Sequence, residues 1–92
     1  YFKMKIKVEL FGAARDFSNS NFINVNLEKN CKVSDVKDRL NEYIDNNFSG
    51  NKSFKKIVEN SSFCSEKDEI IKENELLKQD QKIGIIPPIG GG

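Results

Sequence analysis

Histidine is absent from this 92-residue chain, and no other feature of the composition removes as much chemistry. Ser-His-Asp and Cys-His catalysis, His-containing zinc sites and imidazole acid–base steps are all excluded as contributions of this chain. Cysteine is scarce. Cys31 and Cys64 lie far apart and lack Cys-x-x-Cys spacing, so no metal site is expected and they read as reduced, partly buried structural thiols. Neither sign of charge dominates: 15 Lys and Arg against 14 Asp and Glu leave a formal +1. The lopsided electrostatic footprint of a nucleic-acid or membrane-surface protein is therefore missing. No apolar run approaches the ~20 residues of a bilayer span, and no signal peptide precedes the first strand-like segment. A cytoplasmic protein that is not a self-contained enzyme is the expectation.

Apolar residues make up 37% of the chain, enough for one small core and one domain. Tyr1, Phe2 and Lys3 precede Met4, the only methionine. Met4 reads as the natural start and residues 1–3 as an appended remnant, leaving 4–86 as the domain and 87–92 as a tail.

Lys5-Ile6-Lys7-Val8-Glu9-Leu10-Phe11 alternates with the period of a half-buried strand, Ile6, Val8 and Leu10 inward and Phe11 outward. Gly12 and the polar stretch from Arg15 to Asn21 form a connection. Phe22 to Leu27 alternates again, which predicts an antiparallel hairpin. Ser34 reads as the N-cap of a helix with Asp35 and Asp38 in its first turn. Val36, Leu40, Tyr43 and Ile44 form its apolar stripe, and Asn46 to Asn51 ends it. A short helical turn is expected from Ser53 to Glu59. Phe63-Cys64-Ser65 and Glu69-Ile70-Ile71 are expected as short strands around a turn at Glu66-Lys67-Asp68. Gln79-Asp80-Gln81 reads as another turn. Lys82 to Ile86 is the last strand, with Ile83 and Ile85 inward and Gly84 and Ile86 outward.

This order predicts an α+β fold, a mixed sheet with one main helix packed across it. The ubiquitin-like β-grasp has this order, with its first and last strands parallel at the sheet centre. That pairing would bring Phe11 and Ile86 together on the face opposite the helix.

The chain ends Pro87-Pro88-Ile89-Gly90-Gly91-Gly92. Two prolines fix φ near −65° and cannot donate ladder hydrogen bonds, so they stop the strand and project a stiffened, extended chain. The glycines then remove every Cβ, leaving bare backbone that can enter a channel too narrow for other residues. Three glycines alone would suit a linker, but attached to Ile-Pro-Pro-Ile after a strand they read as a functional tail.

Leu10-Phe11-Gly12-Ala13-Ala14-Arg15-Asp16 after a first strand, together with Ile85-Ile86-Pro87-Pro88-Ile89-Gly90-Gly91-Gly92, resembles the small subunit of molybdopterin synthase, the MoaD-like sulfur carriers. The resemblance runs essentially from Met4 to Gly92. Two stretches depart from the family pattern: Cys64-Ser65-Glu66 at the central hairpin and Asp80-Gln81-Lys82 before the last strand. The resemblance implies a carrier rather than an enzyme, with no cofactor of its own. An E1-like partner using ATP and magnesium would adenylate the Gly92 carboxylate, and a sulfur donor would convert it to a thiocarboxylate. The tail, with Pro87, Pro88, Gly90 and Gly91 suited to threading, would enter the large synthase subunit and deliver sulfur to cyclic pyranopterin monophosphate. Phe11 and Ile86 are the expected docking residues, with Arg15 as a rim contact. Alternative readings are a carrier for thiamine or tRNA thiolation, a ubiquitin-like modifier joined to lysines through Gly92, and an interaction module with an inert tail.

Overall fold

A computed structural model describes residues 3–88 of the chain. The first strand, β1 (Lys3–Leu10), buries Met4, Ile6, Val8 and Leu10 almost completely, as its period of two requires. It begins one residue before Met4, with Lys3 opposite Glu28; Tyr1 and Phe2 lie outside the described residues. The second strand, β2 (Phe22–Glu28), pairs antiparallel with β1 and buries Ile23, Val25 and Leu27. The connection between them is more than a polar loop. A 3-10 helix, Gly12–Phe17, turns Ala14 and Phe17 into the core. The carbonyl of the buried Phe17 accepts a 2.6 Å hydrogen bond from the Tyr43 hydroxyl, which satisfies a polar group that would otherwise be costly there.

The main helix, α1 (Val33–Phe48), starts two residues earlier than its sequence suggests, with Lys32 rather than Ser34 at the N-cap position. The preceding two-residue strand β3 (Cys31–Lys32) delivers the chain so that Asp35 reaches back and accepts from the Lys32 N–H at 2.8 Å. Asp35 is the acidic residue of the first turn, and Asp38 falls beyond it. Val33, Val36, Leu40 and Ile44 form the buried stripe, and Ser49 closes the helix in the left-handed conformation. Asn51 caps α2 (Lys52–Asn60), accepting from the Ser53 and Phe54 N–H groups at 2.9 and 3.1 Å. Phe54 packs on Phe17 and Phe48, with ring centroids 5.1 and 5.0 Å apart, and ties α2 to the 3-10 helix and to the end of α1.

Strands β4 (Ser62–Cys64) and β5 (Ile70–Ile71) form the expected hairpin. A further short strand, β6 (Leu76–Leu77), pairs with β3 as a separate two-stranded ladder and sinks Leu77 into the core. This anchors the long polar stretch after β5, which carries too little periodicity to reveal its pairing. The last strand, β7 (Gln81–Ile86), takes the sheet centre in the order β2-β1-β7-β4-β5. It runs parallel to β1 and antiparallel to β4. Neighbours on both sides enclose it, and Ile83 and Ile85 turn inward onto the helix side. The fold is the ubiquitin-like β-grasp: a mixed sheet with α1 packed across one face. Among the described residues, no helix is long and apolar enough to cross a membrane.

Candidate functional site

The site assembles where β1 and β7 end side by side. Their parallel register sets Leu10 beside Ile85, so Phe11 and Ile86 are the next residues of the two strands. Both are large apolar side chains left about a third exposed, 37% and 36%. Phe11 lies back across the sheet onto Gly84, whose predicted outward orientation is therefore compatible with burial: the ring covers it. A Cβ at Gly84 would stand 2.7 Å from Phe11 Cε2 and 3.1 Å from Cys64 Sγ, so only glycine leaves room for the ring.

Gly12, with φ of +54°, makes the turn out of β1 and lies beside Pro87, whose Cγ and Cδ would be 3.8 Å from a Cβ there. The exit of the tail is thus flanked by Phe11, Gly12 and Ile86. Pro87 is half-buried and Pro88 exposed; Ile89, Gly90, Gly91 and Gly92 lie outside the described residues. Arg15 is exposed on the 3-10 helix after Phe11 and makes no ion pair with another described residue.

The same outer face extends further than the sequence reading placed it. Glu9 pairs with Gly84, Gly84 with Cys64, and Cys64 with Ile70. Ile70 is 63% exposed at the far edge of this row. Its signal was the Ile70-Ile71 pair itself, since one member of a two-residue strand must face away from the core. The row therefore runs apolar from Phe11 and Gly84 through Cys64 to Ile70. Lys82 borders it with its ammonium 3.4 Å from the Glu9 carboxylate, while the Lys7 ammonium sits 4.0 Å over the Phe22 ring.

The two stretches that depart from the family pattern have structural uses here. Ser65 Oγ accepts from the Lys67 and Glu69 N–H groups and shapes the β4–β5 turn. Glu66 Oε1 accepts from the Lys82 N–H at 3.0 Å, and Asp80 Oδ1 accepts from the Lys5 N–H at 2.8 Å. Both thiols are free, Cys64 buried and Cys31 half-buried. Burial pushes the Cys31 thiol above its ordinary value, and the nearby Asp35 charge adds to the shift. The described part of the exit is thus a partly exposed apolar surface from which the chain leaves through Pro87 and Pro88. Its apolar and proline residues bring no acid, base and nucleophile together.

These features define a protein of the ubiquitin-like β-grasp class. No protein-family model matches the sequence, and no curated protein matches it significantly. Solved structures do match the fold. A protein described as molybdopterin converting factor, subunit 1, from Pyrococcus furiosus superimposes with a TM-score of 0.68 at 16% identity, covering 94% of this chain and 99% of that one. Small archaeal modifier protein 1 of Haloferax volcanii superimposes with a TM-score of 0.66 at 14% identity, covering 94% of this chain and 99% of that one. Such likeness at low identity establishes the shared fold.

Proposed function

We propose that the chain is a sulfur carrier of molybdenum cofactor assembly, loaded at Gly92 and acting as the small subunit of a molybdopterin synthase. The observation that carries this reading is the parallel β1–β7 pair, which sets the Phe11–Ile86 surface directly beside the Pro87-Pro88 exit. A rigid apolar surface supplies affinity there, and a tail free of Cβ atoms at its end supplies reach. The proline pair keeps the tail from rejoining the sheet. The likeness to the Pyrococcus protein supports the same reading.

In this mechanism the chain brings one reactive group. An E1-like adenylating partner uses ATP and magnesium to join the Gly92 carboxylate to AMP, releasing pyrophosphate. Sulfide-level sulfur (HS⁻) from the donor attacks that carbonyl, AMP leaves with the electron pair of the broken C–O bond, and the thiocarboxylate forms. The loaded tail enters the large synthase subunit and gives its sulfur to cyclic pyranopterin monophosphate. Two deliveries complete a dithiolene. All acid–base groups belong to the partners, which is consistent with a carrier that has no histidine. The reading places the protein in the cytoplasm, where two free thiols stay reduced.

The likeness to small archaeal modifier protein 1 supports a second reading, in which the adenylated Gly92 ends in an isopeptide bond to lysine. Intact-mass analysis of the chain co-expressed with its adenylating enzyme and sulfur donor separates the two. Replacement of one oxygen by sulfur at Gly92, lost on deletion of Gly92 without change in thermal stability, supports the carrier. Lysine-linked conjugates without sulfur gain favour the modifier. Neither product with competent partners overturns both readings.

A further inference from the structure

Among the described residues, the longest run of unpaired strand backbone lies on β2, an outermost strand of the sheet. The Leu10 N–H donates to the Asn21 carbonyl at 2.8 Å, which makes those two residues a hydrogen-bonded pair. Such pairs recur at every second residue of an antiparallel ladder. Ile23, Val25 and Leu27 therefore direct their backbone groups at β1, and Phe22, Asn24, Asn26 and Glu28 direct theirs away from the sheet. Because β2 is the outermost strand, no described strand receives them. Little blunts this edge: the strand reads FINVNLE, with one charged residue at its end and no lysine or proline, and its register runs unbroken from Glu28 to Phe22.

A groove accompanies this edge between β2 and α1. Two open cavities of about 400 and 220 Å³ lie along it and share Arg39 and Glu42 as walls. Around the larger one, Glu28, Asp35, Asp38 and Glu42 outnumber Lys29 and Arg39. Arg39 is already engaged with Glu42 at 2.9 Å. In a chain of formal charge +1, this end of the groove is locally acidic.

We infer that the β2 edge takes up an extended, basic peptide segment of a partner protein by strand addition. Main-chain bonds to the outward groups of Phe22, Asn24, Asn26 and Glu28 would supply attachment, and lysine or arginine side chains on the helix side of the added strand, over Asp38, would supply selectivity. A second copy of this chain is a poorer occupant, because β2 carries one carboxylate and no cation to offer the acidic wall. The inference does not rest on sulfur loading, since neither Gly92 nor the Phe11 surface takes part.

The test titrates a capped peptide of alternating lysine and valine into the ¹⁵N-labelled full chain, alongside its glutamate–valine counterpart. The expected result is shifts and slowed exchange at the amides of Phe22, Asn24, Asn26 and Glu28 with the basic peptide only. Asp38→Lys, on the exposed face of α1, weakens that binding about tenfold while β1 amides keep their positions. Deletion of Gly92 leaves it unchanged. Equal binding of the acidic peptide, shifts confined to other surfaces, or full affinity in Asp38→Lys overturns the proposal. So does protection of the same four amides by concentration alone, with a dimer in sedimentation, which would assign the edge to a second copy.

Discussion

The Phe11 ring occupies the volume that a side chain on Gly84 would need: a Cβ there would meet Phe11 Cε2 at 2.7 Å. The two residues are far apart in sequence and belong to neighbouring parallel strands, Phe11 just past the end of β1 and Gly84 in the middle of β7. The contact fixes how far Phe11 stands above the outer face, and so fixes the shape of the surface beside the tail.

Gly84→Ala is expected to destabilise the fold by about 1–3 kcal/mol, as overpacking does, and to weaken docking of whatever partner uses Phe11. Phe11→Ala alone should cost less than the roughly 3–5 kcal/mol of a fully buried phenylalanine, because a third of the side chain is already exposed. Denaturant titration of the two single variants and the double variant measures their coupling. With the ring removed, the remaining close neighbour of the methyl introduced by Gly84→Ala is Cys64 Sγ at 3.1 Å, and the substitution should cost less. A Gly84→Ala cost that is identical with and without the ring would show that Phe11 is not the obstacle.

Leu77 and Leu76 are adjacent in β6 but unequal, the first 2% and the second 46% exposed. Leu77→Ala should lose about 2–5 kcal/mol and release the stretch between β5 and β7, read as faster amide exchange at Asn30, whose N–H donates to the Leu77 carbonyl at 2.9 Å. Leu76→Ala should stay within about 0.5 kcal/mol of the parent. Equal losses from the two would contradict the β3–β6 register.

Burial first and the Asp35 charge second hold the Cys31 thiol above its ordinary value. A thiol is charged when deprotonated, so the unfolded chain, with the lower value, ionises first as pH rises. The contribution is fully present below the ordinary thiol value of about 8.5 and is lost as pH climbs through the raised value in the fold. Stability should fall as pH rises past the ordinary thiol value, and Asp35→Asn should reduce the fall and speed alkylation of Cys31. The same variant weakens the acceptor for the Lys32 N–H, so a modest loss at neutral pH accompanies it. An alkylation rate indifferent to Asp35→Asn would remove the charge from the account.

How much of this was legible beforehand differs element by element. The phase of β1, β2 and β7 was readable because each strand buries one face, and a period of two leaves little freedom about which. The α1 stripe was readable for the same kind of reason, but its start was not. Ser34 has the chemistry of a cap, yet β3 fixes the backbone so that Asp35 does that work from inside the helix. Phe17 lies in a stretch that reads as connection, and its burial depends on α2 and Tyr43 arriving from elsewhere.

Local order along the chain was enough to establish the alternation of the strands, the apolar stripe of α1, the strand-stopping prolines and the lack of any imidazole, because each is a property of neighbouring residues. Tertiary structure alone decided that Phe11 rests on Gly84, that Leu77 anchors a featureless stretch, and that β2 is left as an open edge. Those outcomes depend on which strands become neighbours. Pairing is settled by the joint burial of all the stripes at once, and no local run of residues carries that information.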